Sequence, residues 1–180
     1  RAGHGLAGRQ TASKRAQRTM NNPISSCKEM EDILRSISWG FLAMTVDDRP
    51  YMIPLNYAYD SGRILFHCAL EGKKLVCIRA NPRVCFSVAR QPGSVEGHPQ
   101  FQQCHMDCES VVCFGTARIV DDLQQRAEVL NIFNRHFHGS DAPDLPEERI
   151  RRCLAVEISI QEMTGRRECN RKLTCWHHRY

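Results

Sequence analysis

The chain has ten cysteines in 180 residues but no Cys-x-x-Cys pair. A zinc ribbon, a thioredoxin-type redox motif and c-type haem attachment are therefore unsupported. No apolar run approaches the roughly eighteen residues of a membrane span. The N-terminal stretch lacks the apolar segment of a secretory signal, so the thiols are expected to stay reduced in the cytoplasm. Neither G-x-G-x-x-G nor a Walker A loop occurs, which removes the two commonest nucleotide fingerprints. Residues 1–20 contain no acid at all, and five bases.

The overall charge is +5, and its placement matters more than its size. Residues 165–180 carry five bases against Glu168, so residues 21–164 sum to −4, with 15 basic and 19 acidic side chains. A mildly acidic body excludes a dedicated basic nucleic-acid-binding domain, although the tails can meet a polyanion. The chain divides into a flexible basic arm over 1–20, one domain over 21–164 and a basic tail over 165–180.

Ser25 and Ser26 followed by Glu29 form a capping box. Met30, Ile33, Leu34 and Ile37 continue it at helical spacing, predicting a helix near 26–37. Trp39–Val46 reads as a strand turned by Asp47-Asp48-Arg49-Pro50. Tyr51, Ile53, Leu55, Tyr57 and Tyr59 then alternate as a second strand, and Pro54 within it marks an edge or a bulge. Ile64–Cys68, Val84–Ala89, Ser110–Val120 and 154–160 supply four more. A short helix sits before Asn81-Pro82, another over 122–137, and a helical turn at Glu147–Arg152. Residues 90–108 form a long polar loop of the kind that is functional or disordered. Six strands in hairpin-like order with few helices predict a mainly β fold, a small barrel with helices at its rim.

The most informative chemistry follows the third strand, which ends in Phe66-His67-Cys68-Ala69. Gly72, Lys73 and Lys74 then open a helix. Free amides at a helix N-terminus attract phosphate, lysines add charge, and glycine lets a ligand approach the backbone. The same residues also suit a solvated turn with two surface lysines.

The ordered segments PLNYAYD (54–60), RILFHCALEGKKL (63–75), NPRVCFSV (81–88), ESVVCFGTARIVDD (109–122) and AVEISIQEMTG (155–165) go further. Together they resemble the pyridoxamine 5′-phosphate oxidase-like, FMN-binding split-barrel family. They are most similar to the branch with the Nim-type nitroimidazole-resistance proteins. The resemblance implies a six-stranded, Greek-key split barrel, a homodimer, and FMN at the subunit interface. Lys73 and Lys74 match the phosphate-binding turn, with Gly72 in it. His67, Cys68 and Ala69 match the strand leading to it, and Pro54, Leu55 and Asn56 match the strand along the isoalloxazine edge. His67 is either a hydrogen-bonded strand-end histidine or a flavin-facing proton donor, since its imidazole can protonate near neutral pH.

The implied activity is FMN-dependent reduction of a small, nitroaromatic-type substrate. A non-catalytic flavin- or haem-binding module is the alternative, and a pyridoxamine 5′-phosphate oxidase ranks below both. Cys104, His105 and Cys108, with His98, form one thiol/imidazole cluster. Cys169, Cys175, His177 and His178 form another. Neither has the spacing of a known metal site, so no metal is assigned. Cys108 stands where relatives carry an aromatic residue, and Glu109 and Ser110 open the fifth strand.

Overall fold

In the computed structural model, residues 23–91 and 108–168 are described. A two-residue strand, β1 (Pro23–Ile24), precedes helix α1 (Cys27–Ser36). Ser26 caps α1 by accepting from the Glu29 N–H at 3.3 Å, which satisfies one orphan donor of the first turn. The Glu29 carboxylate does not reach back to complete the box; it pairs with Arg167 instead. Met30, Ile33 and Leu34 are the buried face, as their spacing predicts.

Strands β2 (Trp39–Val46) and β3 (Arg49–Asn56) form an antiparallel hairpin through Asp47 and Asp48, both at positive φ. Short polar side chains tolerate that left-handed region better than most. The long strand expected from Tyr51 to Tyr59 is in fact two strands. At Tyr57 the chain leaves β2, the Tyr57 N–H donating to the Ser38 carbonyl, and β4 (Ala58–Asp60) pairs with β5 (Arg63–Cys68). The inward alternation runs through the break undisturbed, so periodicity alone cannot show the change of partner.

After β5 come α2 (Lys73–Ala80), β6 (Arg83–Arg90), β7 (Cys108–Val120), α3 (Leu123–His138), α4 (Glu147–Arg151) and β8 (Leu154–Glu168). The strand order is β3-β2-β6-β7-β8-β5-β4, with β1 paired to β8. The end strands β3 and β4 are joined by Tyr57 alone, so the sheet must curl until its ends meet, yet no ladder closes it. The fold is thus mainly β with few helices, as expected. The described residues hold eight strands rather than six, because Tyr57 divides one and β1 adds another.

Strand β8 runs well past the expected end at Ile160. Its alternation is broken by a bulge opposite Phe114/Gly115, and its polar second half still pairs with β7 as far as Cys108↔Glu168. Residues 165–168, assigned to the tail from their charge, therefore belong to the sheet. Residues 1–22, 92–107 and 169–180 lie outside the described residues. So do the arm and, apart from Cys108, the members of both Cys/His clusters. Among the described residues no group of His, Cys, Asp and Glu is placed to hold a metal ion. No helix among them is long and apolar enough to cross a membrane.

Two apolar clusters hold the fold. The inner one lies inside the curl and includes Leu42, Met44, Phe66, Phe86, Val88, Val111 and Val156. Tyr57 packs edge-on to Phe86 at 4.7 Å, and its hydroxyl donates to the Leu34 carbonyl at 2.6 Å. The second cluster sits on the other face, where Leu65, Val120 and Ala155 meet Val129 and Leu130 of α3 and Ile150 of α4.

Candidate functional site

Strand β5 positions three things at once. Ile64, Phe66 and Cys68 point into the inner core, so Leu65 and His67 must point toward α3. The chain then leaves the sheet through an exposed turn, Ala69–Lys73. Helix α2 begins after Gly72, whose φ of 142° is one that residues with a Cβ rarely adopt. A Cβ there would meet nothing within 4 Å, so space around Gly72 is open. No side chain caps α2; the Leu75 and Val76 amides donate to the Gly72 carbonyl, which leaves those of Lys73 and Lys74 to meet a ligand. Lys73 and Lys74 stand in that same turn. The Lys73 ammonium lies 4.2 Å from the centre of the Tyr51 ring, which brings the turn against β3. The open glycine, the uncapped amides and the paired cations suit a phosphate group.

Strand β3 is the sheet edge that Pro54 predicts, pairing with β2 alone among the described residues. Its outer side consequently offers unpaired main-chain groups near Leu55 and Asn56. Asn56 donates its side-chain N–H to the Ser38 carbonyl at 3.1 Å, and its Oδ1 has no partner among the described residues. Register places Trp39 and Phe41 of β2, Met52 and Pro54 of β3, Cys85 of β6 and Phe114 of β7 on one outward face. Trp39, Phe41, Met52 and Phe114 are all exposed. An apolar sheet face of this breadth marks an interaction surface.

His67 stands edge-on to Phe133 at 4.8 Å. Partial burial lowers its pKa, and the nearby Lys74 charge lowers it further. It lines a cavity of about 220 Å³ under α3 and α4, with Phe133, Leu130, Leu145, His138 and Arg149. Burial pushes the Cys68 thiol up, against the opposing pull of Lys74. Cys68 is thus a core thiol rather than a reactive one.

The family model described as pyridoxamine 5′-phosphate oxidase matches residues 26–167. The chain belongs to that family. A curated relative, the uncharacterized protein RA0666 of Rhizobium meliloti, is 30% identical over 93 residues. That match spans 46% of this chain and 61% of the relative, so the chain covers about three fifths of it. The FAD binding protein from Mycobacterium smegmatis is 29% identical over 82% of this chain and 98% of its own, with a TM-score of 0.55. A candidate 5-nitroimidazole antibiotic resistance protein from Bacteroides thetaiotaomicron has a TM-score of 0.66 at 24% identity, over 79% and 84% of the two chains.

Gly72, Lys73 and Lys74 share one turn, and Lys73 links it to β3. Pro54 and Asn56 are exposed on the edge strand, Leu55 is half-buried, and His67 faces the α3 cavity. Tyr51, Phe133, His138 and Arg149 were not singled out as site residues in the sequence. Phe133 shows there only as part of an apolar helix face, which does not say what the helix covers. Glu109 is buried between Arg90 and Arg167, so its carboxylate is engaged within the subunit.

Proposed function

We propose that this family member binds FMN and works as a homodimeric flavin-dependent oxidoreductase on a small nitroaromatic-type substrate. The observation that carries the reading is the uncapped start of α2, with Gly72, Lys73 and Lys74 held beside the edge strand β3. The two ammonium groups would neutralise the FMN phosphate, and main-chain groups near Leu55 and Asn56 would bond the flavin edge. Flavin, once bound, supplies hydride transfer, and the protein supplies binding and orientation. His67 is the candidate proton donor. The exposed face of Trp39, Phe41, Met52 and Phe114 would meet its copy across a two-fold axis, placing the flavin at a subunit boundary. A reducing, cytoplasmic setting keeps the described cysteines as thiols.

The test is an absorption spectrum followed by FMN titration of wild type and the Lys73→Gln/Lys74→Gln double variant. Wild type should show flavin bands, and the variant should bind FMN at least about tenfold more weakly. Equal affinity in the two, or no FMN uptake at all, refutes the reading. A Soret band in place of flavin bands would make the protein a haem-binding module instead. His67→Ala should keep FMN and lose turnover of a nitroaromatic.

A further inference from the structure

We propose that Tyr51 is a positioning residue of the phosphate turn: its ring holds the Lys73 ammonium ready to receive the terminal phosphate of the flavin. The inference rests on the flavin reading for its ligand, whereas the hold of Tyr51 on Lys73 can be measured without flavin.

Tyr51 lies on β3 opposite Met44 of β2 and packs, half-buried, against the inner apolar cluster. The core therefore fixes its ring, and its hydroxyl has no hydrogen-bond partner among the described residues. Lys73 belongs to another element, yet its Nζ stands 4.2 Å from the centre of that ring. A ring face attracts an ammonium at this distance. Lys73 is otherwise exposed and has no acidic partner among the described residues. A free lysine loses much of its rotamer freedom when it meets a phosphate. One already resting on a fixed ring has lost part of it beforehand, which lowers the cost of binding. The ring takes one side of the ammonium and leaves N–H donors for an anion on the other.

The rest of α2 is secured without Tyr51. Leu75, Cys77 and Ile78 are buried, and at the far end Asn81 donates its side-chain N–H to the Thr45 carbonyl at 3.1 Å. Lys74 is placed differently from Lys73, since its charge is the one that acts on His67 and Cys68 of β5. The two cations thus flank the turn from two strands, and Tyr51 governs one of them. Loss of its ring should act through Lys73 and leave the helix and Lys74 where they are.

The experiment measures FMN and riboflavin dissociation constants by fluorescence for the full chain and for Tyr51→Leu, Tyr51→Phe, Lys73→Gln and Tyr51→Leu/Lys73→Gln. Riboflavin has the same ring system without the phosphate. Leucine keeps an apolar side chain against the core, so Tyr51→Leu should bind riboflavin as wild type does. It should bind FMN about three- to tenfold more weakly. Phenylalanine keeps the ring face, so Tyr51→Phe should stay within about twofold of wild type for FMN. In the Lys73→Gln background Tyr51→Leu should cost nothing further, because a residue that acts through another is silent once that other is gone. Without flavin, the Lys73 Hε protons should show an upfield ring-current shift in wild type and Tyr51→Phe, and lose it in Tyr51→Leu. With FMN bound by wild type, any of four results overturns the proposal alone: undiminished FMN affinity in Tyr51→Leu, an equal loss for riboflavin, an equal loss in Tyr51→Phe, or a full further loss in the Lys73→Gln background. Absence of the ring-current shift in wild type overturns it as well. A wild type that takes up no FMN refutes the flavin reading and the phosphate role with it, and the ring-current shift then shows separately whether Tyr51 holds the lysine.

Discussion

Glu109→Gln is the sharpest test of what pins the sheet at the end of β6 and the start of β7. Glu109 is only 4% exposed. Arg90 reaches it from β6, with Nε 2.7 Å from Oε2, and Arg167 of β8 engages Oε1. Arg167 also pairs with Glu29 of α1, and Arg90 donates to the Ser36 hydroxyl at 2.6 Å. One carboxylate thus ties α1, β6, β7 and β8 together. Breaking a buried ion pair costs about 3–5 kcal/mol when the remaining charge stays buried. Here both arginines are 38% exposed and can recover water. The loss should therefore fall to about 2–3 kcal/mol, near the worth of a single hydrogen bond to a charged group. In urea that moves the unfolding midpoint down by about 1–2 M. Burial alone would raise the Glu109 pKa, but the hydrogen bonds and charges of Arg90 and Arg167 outweigh it and lower the pKa. A carboxyl depressed in the folded state stabilises above its unfolded pKa of about 4.3 and stops doing so as pH falls through the folded value. The gap between wild type and Glu109→Gln should be constant from pH 7 to about 5 and shrink below about 4. Equal midpoints at pH 7, or a gap that persists undiminished to pH 3, would refute the reasoning.

Three further outcomes follow from the packing. In Gly40→Ala the added Cβ would sit 2.5 Å from Phe86 Cζ and 2.9 Å from the Ser87 carbonyl; the β2–β6 contact must shift, costing about 1–3 kcal/mol in denaturant unfolding. In Tyr57→Phe the buried bond to the Leu34 carbonyl is lost, for about 1–2 kcal/mol by thermal or urea melts, while the ring contact with Phe86 remains. Phe41→Ser/Phe114→Ser removes two rings from the outward face, and sedimentation should show dimer for wild type, as proposed above, and a folded monomer for the variant.

Most element types were legible because each depended on neighbours in the chain. Helix α1 shows in its cap and its spacing, β2 in its run from Trp39 to Val46, and α3 in Asp122 and the apolar recurrence behind it. What escaped depended on partners distant in sequence. Tyr57 carries the same inward alternation whether its strand bonds to β2 or to β5, so the division into β3 and β4 left no local trace. The second half of β8 is polar and contains Gly165, yet Gly165 is where the backbone must approach Met30, a Cβ there lying 2.8 Å from Met30 Cγ. The phosphate-type turn at Gly72–Lys74 could be read because its parts are adjacent. That His67 and Arg149 line one cavity could not, because they lie more than eighty positions apart in the chain.

Strand β5 shows why His67 and the lysine turn depend on one register. Its six residues send Phe66 and Cys68 to the inner core and Leu65 and His67 to the α3 side, and its end launches the Gly72–Lys74 turn. Pairing with β8 fixes this, with Phe66 opposite Val156 and His67 opposite Ala155. A slip of one residue would exchange the two faces. His67 would enter the inner core, where an imidazole has no partner, and Phe66 would face the cavity. The cost of burying that imidazole unpaired, about 1–3 kcal/mol or more, adds to the loss of Phe66 from the core. The register that keeps Phe66 buried therefore also holds His67 in the cavity and sets where the lysine turn leaves the sheet.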